Sequence, residues 1–173
     1  MPLRLCAFLI SLAPTVAFSE TDLSIYDPLD MMSISRADFI DKNEKAMRAY
    51  WDPSMLLFSR LGPSVAETIP AFIWTDDYAD VFGCMYDALL AQDALESANI
   101  MFADMRTAAE YIYANPDLNV FNLVENDELI DLLQPSAVYG SVSNECGLLT
   151  LNASAMRESG LMDAMTAKAK AME

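Results

Sequence analysis

Apolar side chains recur along much of this chain at spacings of three and four residues, the pattern of helices that bury one face. The pattern is clearest after Thr75, where Asp76 and Asp77 fall in the first turn that the helix dipole favours for acids. It continues to Asn115 and is compatible with one long helix or with two that meet near Gln92.

Helix ends are predicted by capping residues and prolines. Ser35, with Asp38 three residues later, forms a capping box that predicts a helix start. The Asp52-Pro53 pair predicts that this helix ends and that a short second helix begins, because proline is unfavourable inside a helix. Asn126 is the expected cap of a later short helix.

The C-terminal third is predicted to be helical with one irregular connection. Residues 136–147 contain two glycines and several serines, so we expect a mainly irregular connection with a turn or a short helix. Residues 153–172 follow a helical pattern, as one helix or as two joined at Ser159 and Gly160.

No stretch alternates apolar and polar residues over enough positions to indicate a sheet. We therefore predict an all-α fold, a single irregular helical domain of about five to seven helices held by one disulfide. This domain covers residues 35–173, and an irregular lead-in covers residues 20–34.

The N-terminus has the three-part pattern of a cleaved secretory signal peptide. Arg4 precedes an apolar run from Leu5 to Phe18, and the polar Glu20 follows the small Ser19. The run is shorter than the ~20 residues of a membrane-spanning helix, although an uncleaved anchor is the competing interpretation. We predict cleavage of residues 1–19, a periplasmic or secreted mature protein, and no membrane insertion after cleavage.

Export changes the interpretation of the cysteines. Cys6 lies inside the predicted signal peptide, so only Cys84 and Cys146 remain in the mature chain. Two cysteines in an oxidising compartment predict a disulfide between them. They do not form a C-x-x-C motif, so a thiol-exchange centre is not expected.

The chain is strongly acidic, with a formal net charge of −16. Its few lysines and arginines are scattered, so nucleic acid is not an expected partner, and an anionic membrane surface would repel the chain. The acidity is explained by solubility, or by a docking face for a basic partner.

The chain contains no histidine, which removes the commonest general base and the commonest metal ligand. Ser-His-Asp and Cys-His catalysis, and zinc, copper or haem sites ligated by histidine, are therefore excluded. The five glycines lie in separate places and form no phosphate-binding loop. We expect no catalytic residues, no cofactor and no metal site.

Carboxylates are the remaining catalytic candidates. Asp76, Asp77 and Asp80 cluster beside Trp74 and Tyr78, and a carboxylate pair beside aromatic rings could cleave a glycosidic bond. A carboxylate-dependent hydrolase of envelope sugars or peptidoglycan is therefore one alternative function. Favourable charges at a helix start and aromatic core packing explain the same residues without catalysis.

Methionine provides a second alternative. Met101 and Met105 are one turn apart, as are Met162 and Met165, and exported copper carriers use thioether ligands. The same methionines coincide with the apolar stripes of the predicted helices, where methionine is a common core residue. A methionine-based metal carrier is thus an alternative function.

Aromatic residues concentrate in the first half of the chain. We predict that Trp51, Trp74, Tyr78 and Phe82 could line a pocket for an apolar ligand, or could instead form a compact aromatic core. No known family is recognised in the sequence. The leading hypothesis is an exported non-catalytic helical protein that binds a protein partner or a small-molecule ligand in the periplasm.

Overall fold

A computed structural model describes residues 23–123 and 126–172. Within these residues the chain is helical and has no strands, which confirms the all-α prediction. A disulfide joins Cys84 to Cys146, as predicted. The predicted signal peptide, residues 1–19, lies outside the described residues. After a single 3₁₀ turn (Leu23–Tyr26) come eight α-helices: α1 (Arg36–Ser59), α2 (Pro63–Ala66), α3 (Asp76–Ala91), α4 (Glu96–Ala114), α5 (Asp127–Leu133), α6 (Ala137–Glu145), α7 (Leu148–Glu158) and α8 (Leu161–Lys170).

Helix α1 begins where the capping box predicts and continues further than expected. The Ser35 hydroxyl accepts a hydrogen bond from the backbone N–H of Asp38. The expected helix end at Asp52 is wrong, because Pro53 lies inside α1 and is buried. Proline removes one backbone hydrogen bond, but α1 packs against both α3 and α4, and this packing outweighs the local cost.

The core lies around α1, α3 and α4. Its main cluster includes five large side chains that are fully buried, those of Phe39, Phe82, Met85, Leu89 and Phe102. Two further clusters extend it: one joins the end of α1 and α2 to α8, and the other joins α1 and α4 to α5. Helix α1 thus contributes to all three, which makes it the central element of the fold.

The helix junctions follow the backbone preferences of single residues. Helices α3 and α4 are separate and meet at Asp93, which has a φ of 52°. Of the two alternatives for residues 153–172, the structure has two helices joined at Ser159 and Gly160, and Gly160 has a φ of 82° there, a conformation that glycine adopts without strain. Residues 137–145 form helix α6, where we expected a mainly irregular connection.

One asparagine of α4 forms a pair of hydrogen bonds with the main chain of the lead-in. The Asn99 side chain accepts a hydrogen bond from the Leu29 N–H at 2.9 Å and donates one to the Leu29 carbonyl at 2.9 Å. Tyr26 and Met31, on either side of Leu29, are buried in the main cluster. The lead-in is therefore part of the folded domain.

We expect Asn99→Ala to lower the free energy of unfolding by about 1–2 kcal/mol, since it leaves both main-chain groups of Leu29 without their partners. Urea unfolding measures the loss, and amide hydrogen exchange at Leu29 should accelerate. Asn144→Ala, at an exposed position of α6, is the matched control and should change stability little. Equal losses in the two variants would contradict this role of Asn99.

Candidate functional site

An open groove lies between α7 and the segment that precedes α3, and it has a volume of about 400 Å³. Trp51, Phe72, Ile73 and Tyr78 line one side of it. Leu151, Ala155 and other residues of α7 line the opposite side. We call this the aromatic groove. Ile73 is 68% exposed, so a large apolar side chain faces solvent at its edge.

Stacked rings form the aromatic side of the groove. The Phe72 ring lies 5.3 Å from that of Trp51 and 5.5 Å from that of Tyr78, measured between ring centroids. Trp74 stacks on Tyr78 at 5.5 Å and on Phe82 at 5.6 Å. Ring pairs at these separations attract one another, so this side of the groove is rigid.

The polar atoms of the two lining rings that carry one, Trp51 and Tyr78, are already hydrogen bonded within the protein. The Trp51 indole N–H donates to the Pro70 carbonyl at 2.8 Å, and the Tyr78 hydroxyl donates to Asn152 Oδ1 at 2.9 Å. Burial raises the pKa of Tyr78, so its hydroxyl stays protonated at neutral pH. The groove therefore offers apolar ring surface to an occupant.

Two carboxylates border the groove. Asp77 and Glu158 are exposed, and neither forms an ion pair or a side-chain hydrogen bond with another described residue. The lining residues include no lysine or arginine. Arg48 lies nearby, 5.6 Å from the centre of the Phe72 ring, but its guanidinium pairs with Glu44 at 2.9 Å. The edge of the groove is thus acidic.

The segment between α2 and α3 is not helical where it borders the groove, and its last residue, Thr75, has an extended backbone with φ −124° and ψ 169°. Phe72 and Trp74 are half-buried, whereas Ala71, Ile73 and Thr75 are exposed. This alternation is typical of a strand with one face on the core. The backbone N–H and C=O groups of residues 71–74 form no hydrogen bond with any described residue.

The predicted pocket residues divide into two pairs. Trp51 and Tyr78 line the groove, as the pocket hypothesis expects. Trp74 and Phe82 do not line it, because both pack in the main core cluster, where Phe82 is fully buried. Phe72 was not predicted as a pocket residue, because an apolar run as short as residues 71–74 has no detectable period.

The residues of α7 that face the groove were also missed. Leu151 and Ala155 are four residues apart and so share one face of α7, but this spacing is equally typical of an ordinary core face. Only the position of α7 opposite residues 70–75 makes that face part of a groove. No local pattern in the sequence carries that information.

The predicted disulfide is present, and its two cysteines lie within a few positions of groove residues in the sequence. The Cα atoms of Cys84 and Cys146 are 5.8 Å apart. Cys84 lies in α3, and Cys146 immediately precedes Gly147, the N-cap of α7. The bond therefore fixes the start of α7 against α3, and these helices contribute to opposite sides of the groove. A stable disulfide is typical of proteins outside the reducing cytoplasm.

The residues of the hydrolase hypothesis are exposed at the start of α3. Asp76, Asp77 and Asp80 all face solvent, and the helix dipole favours the two that lie in the first turn, Asp76 and Asp77. Burial raises the pKa of Asp104, which is half-buried in α4, away from that cluster. Among the described residues, no group of three or more histidine, cysteine, aspartate or glutamate side chains could hold a metal ion.

The methionines of the carrier hypothesis divide between core and surface. Met101 and Met105 pack in the main cluster, and Met165 packs against the cluster that contains Leu161. Met162 is 44% exposed. The core-packing interpretation accounts for three of these four positions.

Other cavities among the described residues are less suited to an apolar ligand. One, of about 330 Å³, is lined by Asn122 and Asn126, whose amides already bond to the Asp117 carbonyl and the Tyr111 hydroxyl. Another, of about 570 Å³, lies beside the lead-in, and Lys45 at its edge pairs with a neighbouring aspartate. Most residues that line these two cavities are polar or charged, whereas most residues that line the aromatic groove are apolar or aromatic.

The fold and the groove define a class: a disulfide-linked, all-helical protein with an open aromatic groove. No known family model matches the chain, and neither the curated proteins nor the solved structures include a significant match. Of the helices in the described residues, none combines the length and apolarity that crossing a membrane requires.

Proposed function

We propose that this chain is an exported, non-catalytic binding protein of the periplasm and that the aromatic groove holds an apolar group of its partner. The exposed side chain of Ile73 beside the rings of Phe72 and Tyr78 is the observation that carries this proposal. Apolar surface that faces solvent beside a rigid concave wall is typical of binding sites.

Two further features support the proposed location. The first nineteen residues have the pattern of a cleaved signal peptide, and the mature chain keeps a paired set of cysteines. The absence of histidine from the whole sequence favours binding over catalysis, because the commonest general base is missing.

Binding of a neutral fluorescent probe, N-phenyl-1-naphthylamine, tests the proposal with the mature protein. We expect saturable binding with increased probe emission. Ile73→Ser should weaken binding about fivefold, because the probe would lose its apolar contact with roughly half of the isoleucine side chain. A neutral probe is required, since the acidic groove edge would repel the usual anionic dyes.

Ile100→Ser is the matched control, since Ile100 is also an exposed isoleucine, at 51%, but lies on α4 outside the groove. It should leave probe binding unchanged. An absence of saturable binding to the wild-type protein, or equal weakening in both variants, would refute the assignment of the groove.

A further inference from the structure

We propose that the occupant of the aromatic groove is an extended peptide segment of a partner protein, in which an apolar side chain is flanked by lysine or arginine, and which pairs its main chain with residues 71–74. This names the occupant and so rests on the proposed function of the same groove. Three features of the groove, its main chain, its volume and its charge, support this occupant.

The main chain of residues 71–74 supports a peptide over a small molecule. Its N–H and C=O groups have no hydrogen-bond partner among the described residues, and its side chains alternate as in a strand. An extended peptide that lies beside such a segment satisfies these groups by strand addition. A compact ligand cannot pair with successive main-chain groups over this length.

The shape of the groove supports an apolar side chain at the centre of that peptide. Alternate residues of an extended peptide point the same way, so one of them can enter the space between Tyr78 and Leu151. The volume of about 400 Å³ accommodates an aromatic side chain. The polar atoms of Trp51 and Tyr78 are occupied, so this position selects for apolar character.

The charge of the edge supports basic residues on either side. The dipole of α3 favours Asp77 at its position, so fold stability alone explains that carboxylate. Glu158 is the last residue of α7, where the helix dipole disfavours an acid, but it also lies just before α8, which begins at Leu161 and whose dipole favours one. These two effects oppose each other, so the helix dipoles do not explain an acidic residue at this position. Among the described residues, neither carboxylate pairs with a lysine or an arginine, and the chain as a whole has a net charge of −16.

Titration with synthetic peptides, followed by tryptophan fluorescence, tests this proposal. The chain has two tryptophans, Trp51 and Trp74, and both lie in the aromatic stack beside the groove. The reference is a capped pentapeptide with a central phenylalanine, a valine on each side and lysine at both ends. When it is extended, its phenylalanine and both lysines face the groove together.

Three altered peptides separate the contributions. In the first, glutamate replaces both lysines, and we expect affinity to fall at least about tenfold at low salt. The other two carry N-methyl groups, either on both valines or on the phenylalanine and the second lysine. Because only one edge of the peptide faces residues 71–74, one of these two should bind about tenfold more weakly and the other should not.

Protein variants locate the charge effect. Asp77→Asn/Glu158→Gln should weaken binding of the lysine peptide about fivefold and remove most of its dependence on salt. Asp93→Asn/Asp131→Asn also removes two exposed carboxylates, but neither lines the groove, and this control should retain wild-type affinity. Thermal unfolding of each variant confirms that the fold persists.

Equal affinities of the lysine and glutamate peptides, or wild-type affinity of both N-methylated peptides, would overturn the proposal. Failure of the neutral probe to bind would instead overturn the proposed function itself. If the probe binds with the expected Ile73→Ser effect while no peptide does, the groove assignment stands and the peptide assignment fails.

Discussion

Replacement of both Cys84 and Cys146 by serine is expected to lower the free energy of unfolding by about 4 kcal/mol. The cysteines are 62 residues apart, so their bond restricts a long loop in the unfolded chain. In the chain-entropy account, a loop of this length accounts for the expected value. It is a large part of the stability of a domain of this size, which is typically 5–15 kcal/mol.

The consequence for the groove should be larger than for the rest of the fold. Without the bond, α7 is held against α3 by side-chain packing and by the hydrogen bond from Tyr78 to Asn152. We expect the double variant to keep its helical content at low temperature but to bind the neutral probe more weakly. Urea unfolding measures the first effect and the probe titration measures the second.

Reduction of the disulfide in the wild-type protein distinguishes the effect of losing the bond from the effect of replacing the two cysteine side chains. Dithiothreitol should destabilise the wild-type protein by about the same amount as the double substitution, and it should leave the double variant unchanged. If the free energy of unfolding fell by less than about 1 kcal/mol in both experiments, the disulfide would constrain neither the unfolded chain nor α7.

Features that depend on neighbouring residues in sequence could be predicted. The caps at Ser35 and Asn126 depend on a side chain and a backbone N–H three residues later, and both are present. The disulfide could also be predicted, because the predicted cleavage of residues 1–19 leaves only two cysteines to pair. The junction at Gly160 follows from the freedom of glycine to adopt a left-handed conformation.

Features that depend on tertiary packing could not be predicted. Proline normally interrupts a helix, yet Pro53 lies within α1, because α1 packs against α3 and α4 before this residue and against α4 after it. For the same reason, only some of the residues that line the groove could be predicted. Trp51 is expected near any aromatic cluster, but Phe72 and the α7 residues that face it across the groove are about eighty positions apart in the sequence.

Arg60 is expected to make the largest single-residue electrostatic contribution to stability. It caps the end of α1, and its guanidinium donates hydrogen bonds to three carbonyls at the end of α4 and in the loop after it: Ile112 at 2.9 Å, Asn115 at 3.0 Å and Leu118 at 2.7 Å. A positive charge is favourable at a helix C-terminus, where carbonyls lack partners within the helix. We expect Arg60→Met to lower the free energy of unfolding by about 2–3 kcal/mol.

Two companion variants separate geometry from charge. Arg60→Lys keeps the charge but cannot reach three carbonyls at once, so it should lose about half as much stability as Arg60→Met. Arg157→Met removes an exposed arginine from α7 and should change stability by less than about 0.5 kcal/mol. Urea unfolding measures all three, and Arg60→Met should also accelerate hydrogen exchange at Val120, whose N–H donates to the Leu57 carbonyl. Wild-type stability of Arg60→Lys would show that charge alone holds the two helix ends together, because the forked geometry of the guanidinium would then contribute nothing.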